Sequence, residues 1–297
     1  MVILTFLLVL LLGCELPEEK NLKKGKLWAL VSEPYAALLT RQAEEFHRLY
    51  PDAQVSIDAT STREAVVRMV NDSVRVICID RQLNEEEWQV ARAAEIGIIE
   101  TKIAEDALAV LVHKQNPMEN ASLASLKDIV SGAKTSWHEV PESNWSSGRI
   151  EVVLTGRNSG TYELLTRHFL KLADDPIPSH VAGTSREVLE YVSEHPQALG
   201  IVSAAVLQDS LPNIRVLSLE AADSAAHRPF VMLHQANIHR GYYPWHYSLY
   251  MYRLEAYTGI ALGFTAFVAG IPGQKMLLDA KLVPATMPIR IVQIKEN

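Results

Sequence analysis

From residue 26 onward, short apolar runs alternate with longer stretches of helical period, the pattern of an α/β protein built largely from parallel strands. Residues 26–31 form the first predicted strand. Ser32 then suits an N-cap and Pro34 a first helical turn, and Leu38, Leu39, Ala43, Phe46 and Leu49 make one apolar face until Tyr50-Pro51 stops the helix. A second strand is expected over 54–57, a helix from Thr60-Ser61-Thr62 through Val70, and a third strand over 74–79 that ends at Asp80. The rhythm continues with strands over 107–113, 150–155 and 199–202, and helices over 123–131, 162–172 and 186–193. The glycine-spaced apolar run 258–269 is too short to cross a bilayer and is followed by Gly270 to Gly273, so it reads as a core helix. An apolar strand over 247–252 precedes it.

The N-terminus has another character. Residues 2–12 are almost wholly apolar, too short for a membrane span and of the length of a signal-peptide core. Leu11-Leu12-Gly13-Cys14 resembles a bacterial lipobox, in which the small residue before cysteine permits cleavage and the thiol carries the lipid. The expectation is a signal peptide over 1–13, a lipidated linker over 14–25 with Cys14 as mature N-terminus, and a polar spacer before the fold. No Lys or Arg precedes the apolar core. With 297 residues and 48% hydrophobic composition the chain can bury one large core or two of medium size. A net charge of -7 argues against a nucleic-acid partner, and the two cysteines, Cys14 and Cys78, imply no disulfide framework.

Several expected helices begin with Ser, Thr and Gly just after a strand: at Ser32, at Thr60 to Thr62, at Ser159 to Thr161 and at Gly183 to Ser185. Helix N-termini expose unpaired amide donors and the positive end of the dipole, so such turns can hold a tetrahedral oxyanion without a metal. In open α/β sheets they lie at the carboxyl ends of strands, where ligands bind. Each cluster is equally readable as an ordinary cap, and Ser61 with Glu64, or Thr184 with Glu187, fits a capping box. The segment Gly156-Arg157-Asn158-Ser159-Gly160-Thr161 stands apart, because it joins a guanidinium, two hydroxyls and a glycine that lets backbone close on a ligand. Asp80, ending the third strand, can accept a proton from a protonated oxyanion and so favour hydrogen phosphate over sulfate; taken by itself, it reads rather as a turn aspartate that caps the helix starting near Asn84.

These residues carry a family resemblance. The chain is similar, over nearly its whole length after Lys26, to the phosphate-binding component of Pst-type ABC importers, a kind of periplasmic binding protein. The stretches that match are Asp106-Ala107-Leu108-Ala109-Val110-Leu111-Val112 running on to Asn116-Pro117, then Leu126-Lys127-Asp128-Ile129-Val130-Ser131-Gly132 with Trp137, and Gly156-Arg157-Asn158-Ser159-Gly160-Thr161-Tyr162; Pro196, Ala198, Leu199 and Gly200 resemble a further segment. The resemblance implies an α/β, two-lobed, periplasmic-binding-protein-like fold (type 2), each lobe a mixed sheet flanked by helices, with a two-strand hinge. Residues 26–112 with 249–297 would form one lobe and 113–248 the other.

It further implies ligand contacts from Thr62, Asp80 as acceptor carboxylate, Arg157, Ser159, Gly160 and Thr161, with Ser32 the choice for the first-loop donor. Together with the lipobox-like N-terminus, it leads to the expectation of an extracytoplasmic, lipid-anchored, monomeric binding protein that delivers inorganic phosphate to ABC permease subunits, with no cofactor, no metal and no catalysis. Sulfate, molybdate or tungstate binding, or a sensor or adhesion module on the same fold, are the alternatives. The loop after Arg157 is two residues shorter than the family's spacing and lacks the aspartate that pairs with the arginine. Glu33, in the first loop, either points away from the anion or replaces that partner.

Other chemistry is poorly supported. Ser159 sits in no G-x-S-x-G elbow and no histidine is spaced to activate it, which argues against a hydrolase. His227, His234, His239 and His246 lack the helical pairing of a zinc motif and read as surface or hinge residues.

Overall fold

The computed structural model describes residues 21–146, 148–209, 212–222 and 229–287. The expected signal peptide, Cys14, most of the linker and His227 lie outside them. β1 (Gly25–Ser32) passes through a 3₁₀ turn (Glu33–Tyr35) into α1 (Ala36–Leu49), followed by β2 (Ala53–Thr60), α2 (Thr62–Val70), β3 (Val76–Ile79), α3 (Glu85–Ala93) and β4 (Ile98–His113). Next come β5 (Asn120–Ala121), α4 (Leu123–Val130), β6 (Glu151–Thr155), α5 (Gly160–Glu163) continued by a π-helix (Leu164–Phe169), β7 (His180–Ala182), α6 (Ser185–Glu194) and β8 (Ala198–Ser203). The remainder holds β9 (Ile214–Val216), β10 (Ser218–Glu220), β11 (Phe230–Val231), α7 (Gln235–His239), β12 (His246–Leu254), α8 (Ile260–Ala269), α9 (Ile271–Asp279) and β13 (Val283–Pro284).

Strand order runs β2-β1-β3-β12-β4-β8-β6-β7, with β9 and β13 also on β4. β4 belongs to two sheets. Over Ile98 to Ala107 it pairs antiparallel with β12, and over Leu108 to Val112 with β8. On the first side β1 is parallel to both β2 and β3; on the second β6 is parallel to both β7 and β8. Parallel pairing aligns carboxyl ends, so Ser32, Thr60 and Ile79 finish at one edge, and Thr155, Ala182 and Ser203 at another.

The expectations for two segments, β4 and the N-terminal linker, change here. The strand expected at 107–113 starts at Ile98, because Glu100, Lys102 and Glu105 break the apolar run while that half of β4 keeps one partly exposed face. The linker expected to reach residue 25 is already packed at Leu22, whose backbone carbonyl lies where a Cβ on Gly263 would stand, so α8 and the incoming chain meet only through a glycine. α8 itself is core: Ala261, Phe264, Phe267 and Val268 are buried, and Phe46 of α1 meets Phe264 and Phe267 edge-on at 5.6 and 5.3 Å between centroids. Among the described residues no single helix is long and apolar enough to cross a membrane.

A buried carboxylate stands where the sheets join. Asp106 Oδ2 accepts from Tyr35 (2.8 Å), Ser203 (2.5 Å) and Tyr247 (3.2 Å), one residue each from the 3₁₀ turn, β8 and β12. Burial pushes its pKa above the ordinary carboxylate range, while these hydroxyls and the Ala107 amide pull it back. A carboxyl whose folded pKa is raised contributes stability that is complete below the unfolded value of about 4 and is lost as pH rises through the folded value. Asn at 106 keeps an acceptor and loses the charge. In urea melts from pH 4 to pH 8, Asp106→Asn is therefore expected to gain on the wild type as pH rises; parallel curves would exclude this role.

Candidate anion-binding site

The two strand edges face each other across a cavity of about 570 Å3, lined by Ser32 and Glu33, Thr60 to Thr62, Thr155 to Thr161, and Gly183 with Thr184. Four loops far apart in sequence thus meet in one place. On the first-sheet wall, Ser32 Oγ and Thr62 Oγ1 are 2.7 Å apart, and Thr62 Oγ1 donates to Asp80 Oδ1 at 2.7 Å. Ser32 makes no helix-cap bond with its side chain, so the N-cap expected there gives way to this chain. A carboxylate only accepts; Thr62 must therefore donate to Asp80, and Ser32 to Thr62. With Asp80 ionised, both hydroxyl protons point toward it and away from the cavity.

Asp80 is fully buried and does not line the cavity. It stands behind Thr62 and Gly160, and its other face borders a separate space of about 430 Å3 near Arg81, Glu163 and Tyr247. Its Oδ2 has no hydrogen-bond partner among the described residues. Burial drives its pKa up, against the pull of the Thr62 hydroxyl. The carboxylate presses on the N-terminus of α5, filling the position that a Cβ on Gly160 would take. The helix after it is capped by Asn84 with Glu87 in a full capping box, so Asp80 is not that cap.

The second-sheet wall is made by α5. Ser159 is its N-cap, accepting from the Tyr162 amide at 3.1 Å and lying 2.7 Å from Thr155 Oγ1. Thr161 Oγ1 is buried on the cavity wall and unpartnered among the described residues, which leaves it available to a ligand. Ser61 and Thr184 cap α2 and α6 through the amides of Glu64 and Glu187, but the reciprocal half of each expected capping box is missing: the Glu64 carboxylate takes Arg68, and that of Glu187 takes the Gly183 amide.

Arg157 reaches the cavity from its rim, with its side chain 67% exposed and paired to Asp175 at 3.2 Å. Asp175 also accepts from Arg167 at 2.6 Å. The carboxylate absent from the shortened loop is thus supplied by the segment after the π-helix. Asp174 and Asp175 are the only acids between Glu163 and Glu187, which was the available signal. Glu33 does not take that role: its carboxylate accepts from the Ser185 amide at 3.2 Å and the Ser185 hydroxyl at 2.6 Å. Among the described residues no three histidine, cysteine or acidic groups converge as metal ligands.

A family model described as a PBP superfamily domain matches residues 17–270. The chain belongs to the PBP superfamily. Within this superfamily, it is 26% identical over 287 residues to the phosphate-binding protein PstS of Pseudomonas aeruginosa, covering 92% of this chain and 87% of that protein. The structure of a protein assigned as a phosphate ABC transporter substrate-binding protein from Clostridium perfringens, with bound phosphate, superimposes with a TM-score of 0.75 at 19% identity, over 88% of this chain and 100% of that one. An ABC-type phosphate transport receptor from Vibrio cholerae matches with a TM-score of 0.67 at 19% identity, over 88% and 100%. At such identities the structural matches establish the α/β periplasmic-binding-protein fold.

Proposed function

We propose that this PBP superfamily chain is the solute-binding component of an ABC importer and that it captures inorganic phosphate in the cavity between its two sheets. The observation that carries the reading is the convergence of Ser32, Thr62, Arg157, Ser159, Gly160 and Thr161 on one cavity with Asp80 behind its wall. The phosphate-binding relative and the phosphate-named structures support it. Thr161 Oγ1, the first amides of α5 and Arg157 donate to ionised phosphate oxygens, and the oxygen bearing a proton donates to Ser32. The halves 26–112 with 249–297 and 113–248 act as lobes that close on the ion, hinged on β4 and β12. The ligand leaves unchanged, into permease subunits. Cys14 holds the monomer by lipid to the extracytoplasmic membrane face; a fatty-acid analogue should label the wild type and not Cys14→Ala.

Calorimetry on the full chain tests the ligand. Phosphate is expected to bind more tightly than sulfate or molybdate, and Arg157→Ala to weaken it about ten-fold, the loss of one charge-assisted hydrogen bond. Asp175→Ala should weaken it less, since it frees the guanidinium without removing it. The reading fails if the wild type takes up no phosphate, or if Arg157→Ala binds it unchanged.

A further inference from the structure

Glu33 lies on the wall of the cavity, in the turn directly after Ser32, yet its side chain serves the opposite wall. Its carboxylate receives both the amide and the hydroxyl of Ser185, the first residue of the ten-residue helix α6. β1 and its turn belong to the first sheet; α6 packs on the second, against β8, β4 and β6. An anion of one half therefore caps a helix of the other, where the positive end of the dipole favours it. Ser185 is wholly buried and Glu33 partly so, which shields the pair from water. Thr184 already caps α6 through the Glu187 amide, so the helix is not short of a cap of its own.

We propose that Glu33 is a clasp for the ligand-holding state: its bond to Ser185 spans the cavity mouth, holds the two halves together and slows release of the bound anion. The inference rests on the oxyanion-binding reading above and adds a residue to it. A group that ties the halves when they meet stabilises the closed state, so it lowers the dissociation rate; the phosphate-free fraction that it also holds closed is withheld from association, which begins from the open state. A second bond across the halves, Arg81 to Glu163 at 3.0 Å, involves neither Glu33 nor Ser185. Losing the clasp loosens the closed state without abolishing it.

The test compares wild type, Glu33→Ala, Glu33→Gln and Ser185→Gly in the full chain. Phosphate association and dissociation are followed by stopped flow, and the dimensions of the phosphate-free protein by small-angle X-ray scattering. Glu33→Ala is expected to speed release about ten-fold, to leave the association rate equal or slightly raised, and to enlarge the phosphate-free protein. Glu33→Gln, which keeps an acceptor but no charge, and Ser185→Gly, which keeps the amide but not the hydroxyl, should fall between. Equal release rates and equal dimensions in wild type and Glu33→Ala would overturn the clasp, even where the melting temperature falls, since that is what a purely structural cap would give. If the wild type takes up no phosphate, the assignment of the ligand fails and scattering alone decides the clasp: expansion of Glu33→Ala supports it, and unchanged dimensions overturn it.

Discussion

Gly160→Ala is expected to lose phosphate binding by about ten-fold or more and to melt at lower temperature than the wild type. The added methyl would fall within the Asp80 carboxylate. That carboxylate cannot retreat easily, because it follows the fully buried strand β3 and is anchored to Thr62. Either the N-terminus of α5 moves away, parting the two walls of the cavity, or Asp80 turns and the Ser32–Thr62–Asp80 chain breaks. Overpacking of this kind costs about 1 to 3 kcal/mol in a well-packed interior, and here the same displacement reaches Thr161, a residue of the cavity wall whose buried hydroxyl has no partner among the described residues. Calorimetry and a thermal melt on the one variant check both effects; phosphate binding equal to that of the wild type would show that the contact between Asp80 and α5 is not used.

Asp80→Asn is expected to shift preference from phosphate toward sulfate by about ten-fold, even where both bind more weakly. Asp80 acts through the hydroxyl chain, since it does not itself line the cavity. With a carboxylate at 80, the Thr62 and Ser32 protons are both directed inward, leaving the Ser32 oxygen as an acceptor that welcomes a protonated oxyanion. Asparagine can present its amide N–H to Thr62, reversing the chain so that Ser32 donates to the cavity. Sulfate, which carries no proton at neutral pH, then gains a donor and loses a nearby negative charge. The phosphate-to-sulfate ratio from paired titrations is the readout, and a ratio unchanged by the substitution would remove Asp80 from the selection of ligand.

Reading the chain in one dimension reached most of the architecture because the signals involved are local. The alternation of strand and helix, the N-caps at Ser61 and Thr184 and the end of β3 just before Asp80 depend on residues within a few positions of each other. The Ser, Thr and Gly turns were legible for the same reason, and parallel pairing of β1 with β2 and β3, and of β6 with β7 and β8, is what places them at facing edges. The first half of β4 was missed since its exposed face carries Glu100, Lys102 and Glu105, whose polarity masks a strand paired with β12 on one edge.

What a side chain does inside the site was settled by partners distant along the chain. Arg157 finds its carboxylate eighteen positions on, at Asp175, after a π-helix that no periodicity announced. Glu33 turns to Ser185 and away from the arginine, a choice made by where α6 begins in space. Asp80 was identified by its position at a strand end, but its burial behind Thr62 and Gly160, and so the direction of the hydroxyl protons, follows only from the approach of α5 to β3. Hydrophobic period and capping are properties of a segment and are written in it; the orientation of a charge or a hydroxyl depends on which groups other segments bring within hydrogen-bond distance, and that the tertiary structure alone decides.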